Sequence, residues 1–343
     1  MNRKIVKISS AAILLIIALG AWLSWNAVWA SNVTTDGDHA YLYVPTGSGY
    51  DEVFSKLKDQ NLLKHPPAFD KVASLMKYKK TVVPPGRYKI ENGWSNRKLI
   101  SKLRSGAQDA LFVVINNNRI IQDLAGNAAR FLESDSLSFL NYFMETETLE
   151  KFGYNRDNFM TMFIPNSYEM FWTTSPEKFT QRMQKEHGKF WTAERLSKIS
   201  ANGLDPIQAY IVASIVEKES NYEPERPAIA GVYINRLKQG MKLQADPTVV
   251  FATGQFELRR VLYSHLDTDS PYNTYRYGGL PPGPICMPSL SSLEAVINAE
   301  DHDYIFFCAK ADNSGQHAFA RTLSEHNKNA AAFSNWLNAN KIR

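Results

Sequence analysis

From about Ile8 to Ala30 the sequence carries no acidic or basic side chain, and only small or weakly polar residues and Asn26 interrupt an apolar run. No water-exposed helix can carry such a stretch. As a helix it is long enough to cross ~30 Å of hydrocarbon. Arg3, Lys4 and Lys7 precede the run, while Asp36 and Asp38 follow it. Basic residues stay on the cytoplasmic side, so the remainder of the chain is expected outside the cytosol. Val28-Trp29-Ala30 resembles the cleavage site of a secretory signal. The run is longer than a usual signal core, however, and its tryptophans lie at its outer end, as interfacial anchors do. The sequence therefore favours an uncleaved anchor over residues 1–30. No cysteine follows the run, which excludes a lipoprotein.

The whole chain of 343 residues leaves room for that anchor and roughly two folded domains. The net charge of +5 is spread along the sequence. No block of lysines and arginines alternates with aromatics as a nucleic-acid groove requires, so no nucleic acid is expected as a partner. An anionic polymer such as a cell wall is compatible with this charge. Cys286 and Cys308 both lie in the exported part, where a disulfide is permitted, but two cysteines make no framework. The seven histidines are scattered, and no Cys/His cluster has zinc spacing. Neither a metal site nor a nucleotide loop is legible, and no cofactor is expected.

Periodicity and punctuation predict a small α+β module after the anchor, over residues 40–115. Ala40–Pro45 alternates as a strand, and Tyr50–Gln60 and Ala68–Lys79 read as helices. Arg87–Ile90 is a second strand, Ser95–Arg104 a helix closed by Gly106, and Leu111–Ile115 a third strand. The remainder, residues 116–343, is mostly helical. Gln122–Arg130, Asp135–Phe152, Pro176–Trp191 and Thr192–Ile199 are predicted helices, with an aromatic-rich loop over Met162–Glu169. Further helices are expected over Arg226–Lys238 and from Asp246 through Phe251, where Asp246-Pro247 repeats an Asp-Pro capping device. A loop rich in Pro, Gly and Tyr runs from Pro271 to Ile285, of the kind that is usually functional. Tyr304–Ala309 and His317–Ala320 then form strands about a turn at Asn313-Ser314-Gly315, and Leu323–Asn338 closes the chain as a helix.

At the centre lies the helix Asp205–Ser220. Asp205 can cap its first free N–H groups, and Pro206 suits the first helical position. Ile211, Ile215 and Glu219 share one row, four residues apart, flanked by Val212 and Val216. Glu219 thus falls within an apolar stripe, whereas Glu217 points almost opposite and is expected to be solvated. A carboxyl among aliphatic side chains resists ionisation, so its pKa should rise. An acid still protonated near neutral pH is what a glycosidic oxygen needs from a general acid. An ion pair with an arginine would give the same burial a purely structural meaning.

Five stretches follow one another in fixed order: Ser214-Ile215-Val216-Glu217-Lys218-Glu219, Ile234-Asn235-Arg236-Leu237, Leu243-Gln244-Ala245-Asp246-Pro247-Thr248, Tyr272-Asn273-Thr274-Tyr275 and Gly279-Leu280-Pro281-Pro282-Gly283. Together they closely resemble the MltG (YceG-like) family of endolytic murein transglycosylases, over essentially the whole chain. The resemblance implies an α+β architecture: a single N-terminal membrane helix, a small LysM-like module, then a mixed α/β catalytic domain with a lysozyme-like glutamate helix. It implies cleavage within peptidoglycan glycan strands at the MurNAc-β-1,4-GlcNAc bond, leaving a 1,6-anhydro-MurNAc end. The family's catalytic glutamate maps to Glu219. Peptidoglycan and the membrane are the implied partners, with peptidoglycan synthases as further candidates. One departure is Pro165-Asn166-Ser167-Tyr168, where the family more often has Pro-Asp-Thr-Tyr.

In the implied mechanism Glu219 first protonates the leaving oxygen and then takes the proton of the sugar's C6 hydroxyl as that oxygen closes on C1. An ordinary glycosidase would need a second carboxyl group, for which Glu223, Glu225 and Asp246 are available. Asn235, Arg236, Gln244, Asp246, Tyr272, Asn273 and Thr274 are the candidate substrate-binding residues. For Arg236 and Asp246 a structural ion pair is an equal alternative, and Asp246 also reads as a helix cap. Two other functions fit the same features: a muramidase that hydrolyses the same bond, and a non-catalytic wall-binding scaffold.

Overall fold

The computed structural model describes residues 3–340 apart from 259 and 313, with side chains from residue 12 onward. Asn313 of the expected turn and the first two residues of the N-terminal tip therefore lie outside the described residues. The chain divides into two compact units: residues up to Phe112 with Phe131–Glu133 and Glu169–Thr174, and the rest.

The first unit begins with helix α1, Arg3–Trp29. Its stretch Ala12–Trp29 has a mean hydropathy of 1.8 and is long and apolar enough to cross a membrane. Leu14, Leu15, Ile16 and Ile17 are exposed along it with no protein to cover them, which suits a helix solvated by lipid. At its far end Asn96 donates to the Ala27 carbonyl (2.8 Å) and Arg97 lies 4.3 Å from the centre of the Trp29 ring. Strand β1 (His39–Val44) leads through helices α2 (Tyr50–Asp59) and α3 (Pro66–Leu75) to strand β2 (Gly86–Glu91) and helix α4 (Asn96–Ser105). β1 and β2 pair antiparallel, from His39 opposite Glu91 to Val44 opposite Gly86. Leu42, Val44 and Tyr88 from this ribbon pack on Val53, Leu57, Phe69 and Leu99 of the helices. Ser95 caps α4, and Gly106 ends it in the left-handed conformation (φ 67°), where a side chain would be strained.

Strand β3 (Leu111–Ile115) carries the chain into the second unit, followed by helices α5 (Ile121–Ala129), α6 (Ser136–Met144) and α7 (Thr146–Phe152). The single helix expected over Asp135–Phe152 is broken at Glu145, whose extended backbone (ψ 128°) both ends α6 and starts α7. The break lets Phe139 and Phe143 of α6 pack with Phe159, Phe163 and Phe179. The predicted Met162–Glu169 loop is a 3₁₀ turn (Phe159–Met162) and a strand, β4 (Asn166–Met170). Helices α8 (Pro176–Phe190), α9 (Ala193–Ala201), α10 (Pro206–Glu219), α11 (Arg226–Lys238), α12 (Asp246–Thr253), the single turn α13 (Tyr263–Leu266) and α14 (Leu290–Ile297) follow. The antiparallel hairpin of β5 (Phe306–Ala309) and β6 (His317–Ala320) and the last helix α15 (Leu323–Ala339) complete the unit.

Helix α10 is its hub. Asp205 accepts the Gln208 N–H (2.8 Å) while Gln208 accepts that of Asp205 (3.0 Å), a reciprocal cap. Every residue from Ala209 to Val216 is buried, so α10 is covered on all sides and no single apolar stripe exists. Two glycines allow close backbone approach in this unit. A Cβ at Gly231 of α11 would stand 2.6 Å from the Glu300 carbonyl, and one at Gly283 would overlap that of Asp157. Both cysteines are free; Cys286 is buried, and burial pushes its thiol up to about 12.

Candidate active site

Glu219 is the last residue of α10, and Ser220 takes the chain out in extended conformation. Tyr233, two turns into α11 and fully buried, donates its hydroxyl to Glu219 Oε1. The Glu219 side chain retains a strip of exposed surface, and that strip faces a cavity of about 480 Å³. Its carboxyl is otherwise enclosed by protein, and this loss of water is the main cause that raises its pKa to about 7. The Tyr233 hydroxyl works in the opposite direction, Asp246 raises the value further and Arg236 lowers it. The C-terminal end of a helix, negative in its dipole, also disfavours a carboxylate.

Glu217, two residues earlier, is not solvated. Its Oε2 accepts from Ser289 N (3.0 Å), Ser289 Oγ (2.5 Å) and Ser292 Oγ (2.7 Å), and Arg226 Nη1 lies 3.4 Å away. Burial pushes its pKa upward, but the serines and Arg226 outweigh that, and it lies below the usual range. Arg226, buried too, donates through Nε to the Ser220 carbonyl (3.2 Å) and through Nη1 to Ser291 (2.6 Å). The expectation of a solvated Glu217 fails because the far side of α10 is covered by α14, in a stretch for which the sequence predicts no element. The two glutamates thus differ in their partners: Glu217 is paired and ionised, Glu219 poised between its two forms.

Asp246 is exposed and lines the same cavity. It does not cap α12. Ala245 occupies that position, and Asp246 Oδ1 instead accepts the Tyr275 hydroxyl (2.6 Å). Arg236 sits behind the two carboxylates, donating from Nε to Ile305 O (2.6 Å) and from Nη1 to Leu243 O (2.5 Å). It therefore ties the segment that carries Asp246 to α11, and acts on Glu219 through its charge. Thr274 Oγ1 accepts the Ala245 N–H (3.0 Å) and meets Thr248 Oγ1 at 2.8 Å, while Gln244 N–H donates to Thr274 O (3.2 Å). Gln244 is itself exposed and left-handed (φ 48°).

The remaining candidates point elsewhere. Asn273, fully buried, donates to Leu266 O (2.8 Å) and Thr268 O (2.9 Å) and accepts from Tyr275 N (3.0 Å), pinning the loop that presents Tyr275. Tyr272 packs on Phe251, ring centres 4.7 Å apart, and its hydroxyl lies 3.4 Å from Asp157 Oδ1. Asn235 donates to His302 O (2.6 Å) and Tyr304 O (3.1 Å). Among the alternative carboxylates, Glu225 is engaged with His317 (2.8 Å) and Glu223 lies 3.7 Å from Arg226. Of the site residues expected from sequence, only Glu219 and Asp246 line the cavity.

The sequence reading missed Tyr233, Tyr275 and the basic wall made by Arg119, Lys218 and Arg260. Tyr233 falls with Ile229, Val232 and Leu237 on the apolar side of α11. A buried tyrosine hydroxyl needs a partner, and that requirement was the available signal. Chemically, the cavity offers one carboxyl able to give and take a proton near neutral pH, beside a second carboxylate held by a tyrosine.

The YceG-like family matches residues 42–332, most of the chain. The chain belongs to the YceG-like family. A protein of Bacillus subtilis (strain 168) named "Endolytic murein transglycosylase" is 32% identical over 304 residues, covering 84% of this chain and 82% of its own. A protein of the same name from Streptococcus pneumoniae (serotype 2, strain D39) is 26% identical, covering 94% of this chain and 64% of its own. The crystal structure of a YceG-like protein from Listeria monocytogenes is similar at a TM-score of 0.55 and 25% identity, over 85% of this chain and 98% of that one. In this YceG-like chain the cavity around Glu219 lies wholly within the second unit.

Proposed function

We propose that this protein is an endolytic peptidoglycan lytic transglycosylase, with Glu219 as general acid and then general base. The observation that carries the reading is a single carboxyl, at the cavity-facing end of a buried helix, whose pKa is raised to about 7. Membership of a family whose named relatives are endolytic murein transglycosylases supports it. Protonated Glu219 gives its proton to the oxygen between MurNAc C1 and GlcNAc. As that C1–O bond breaks, positive charge develops at C1, and the substrate's own N-acetyl oxygen is placed to stabilise it. The C6 hydroxyl of the same sugar then bonds to C1, and its proton returns to Glu219. The products are a 1,6-anhydro-MurNAc end and a free GlcNAc hydroxyl, and no water is consumed. Tyr233 holds Oε1 and fixes the carboxyl for both transfers. Asp246, the second carboxylate in the cavity, favours a muramidase as the second reading, because hydrolysis requires two carboxyl groups.

Within this reading Asp246 faces the strand in the cavity, Gln244 is exposed outside the cavity wall, Arg236 sets the charge behind Glu219, and Asn235, Tyr272, Asn273 and Thr274 hold the frame. α1 is a single-pass anchor with its N-terminus in the cytoplasm, and residues 40–115 form a LysM-like module that grips glycan. The test is digestion of long uncross-linked strands by the purified protein. Internal cuts should yield short oligomers early, and Glu219→Gln should stop them without loss of helical structure. Undiminished cutting by that variant would overturn the assignment.

A further inference from the structure

We infer that the module at the outer end of α1 docks on the membrane surface, with Lys64 and Arg97 binding the phosphates of anionic phospholipid headgroups. The inference rests on the reading of α1 as a membrane anchor and adds to it what the module meets where the helix leaves the bilayer. α1 ends at Trp29, and Trp22, Trp25 and Trp29 are all exposed near that end. Such rings sit at the level of lipid headgroups, so protein that touches this end of α1 lies at that level too. Two cations do so. The Arg97 guanidinium, exposed at the start of α4, lies 4.3 Å from the centre of the Trp29 ring. Lys64, exposed just ahead of α3, brings its Nζ within 3.3 Å of Ser31 Oγ, just beyond Trp29. Among the described residues neither cation is ion-paired with a carboxylate, whereas the neighbouring Lys98 is, to Glu91 (3.5 Å).

A buried amide network fixes this placement. Asn96 donates to Ala27 O (2.8 Å) and accepts from Asn32 Nδ2 (2.7 Å), and Asn32 Oδ1 accepts the His65 N–H (2.7 Å). Both asparagines are buried, so the starts of α3 and α4 are bonded to the end of the membrane helix. A cavity of about 350 Å³ lies at this junction, lined by the apolar Leu23 and Ala27 of α1 and by Asn26, Ser31, His65 and Asn96. Its change from apolar to polar matches the boundary between acyl chains and headgroups, and Ser31, which Lys64 touches, is part of its wall. The occupant that fits is an anionic phospholipid. A bilayer presents phosphates at this height, and Arg and Lys bind them through charge-assisted hydrogen bonds. A negative membrane surface also attracts basic residues held beside a membrane helix. Phosphatidylcholine carries the same phosphate with a compensating cation, so the net charge of the headgroup is the variable to test.

In the experiment the full chain is reconstituted into vesicles holding phosphatidylcholine and phosphatidylglycerol in equal amounts, and floated with them. It is then solubilised, and the lipids it retains are counted by native mass spectrometry. Arg3, Lys4 and Lys7 attract the same anionic lipid at the opposite end of α1, so they are left in place and the change on substitution is read. Lys64→Gln and Arg97→Gln should each lower the preference for phosphatidylglycerol about fivefold, the scale of one basic residue at a charged surface. Arg97→Lys should keep most of it. Circular dichroism of each variant separates lost binding from lost folding. A preference unmoved in the folded glutamine variants, or lost as fully in Arg97→Lys, would overturn the inference and leave the anchor intact. A chain that floats with no vesicle would instead overturn the anchor reading, and the inference with it.

Discussion

Replacing Tyr233 by phenylalanine isolates the hydrogen bond that tunes Glu219. Tyr233 is fully buried and its hydroxyl donates to Glu219 Oε1, so Phe keeps the packing and removes one donor. That donor favours the ionised carboxylate and lowers the Glu219 pKa against the effect of burial. A hydrogen bond to a charged group is worth about 1.5–3 kcal/mol net, and each pH unit corresponds to about 1.4 kcal/mol. The acid form should therefore persist about 1–2 pH units higher in the variant. In the wild type the catalytic acid is lost as pH rises through about 7, so kcat/KM should fall on that alkaline side. In Tyr233→Phe the fall should move up. At pH 8 the protonated fraction should rise from about a tenth to a half or more, by the same arithmetic. The assay is a pH profile of kcat/KM on glycan strands, with thermal unfolding as the control for packing. An alkaline limb that stays in place, or moves to lower pH, would refute the assignment of Glu219 as the acid or of Tyr233 as its regulator.

Glu219→Gln should be more stable than the wild type at pH 8 but not at pH 4. The folded pKa of Glu219 is raised from 4.5 to about 7, so the wild type loses stability as pH climbs through that window, by about 3 kcal/mol at 1.4 kcal/mol per unit. Parallel unfolding curves at all pH values would contradict this. Glu217→Gln should act on the fold first, destabilising by about 3 kcal/mol because it removes the buried carboxylate beside Arg226 and leaves only the exposed Glu223 near it. Urea unfolding measures it, and an unchanged midpoint would show that the pair is dispensable. Removing residues 1–30 should release the protein from membranes into the soluble fraction, and a soluble full-length chain would refute the anchor.

Much of this protein is legible in its sequence where one local rule decides the outcome. The apolar run forms α1, a helix long and apolar enough to cross a membrane. The Asp205-Pro206 start of α10 holds because the cap is made within four residues. Asp246-Pro247 looks the same on paper, yet Asp246 turns to Tyr275, a residue far along the chain that no local rule brings near. Glu219 was found from its place on the helix, although the cause lies elsewhere: α10 is buried all round, and what marks Glu219 is the cavity at the helix end. Glu217 was misread for the same reason, since Ser289 and Ser292 approach from a helix that the sequence reading did not expect. Asn273 and Thr274 belong to a stretch that carries the family likeness, but burial gives their hydrogen bonds to backbone groups and, for Thr274, to Thr248. A motif states which residues matter together and leaves open which of them face the substrate.

The most direct test of the central claim is the chemistry of the new chain end. Glycan strands should be cut by the purified protein in ¹⁸O-labelled water and the fragments weighed by mass spectrometry. Ends of 1,6-anhydro-MurNAc without label are the predicted result, because the C6 hydroxyl and not water closes on C1. Reducing MurNAc ends that carry the label would contradict it and establish hydrolysis.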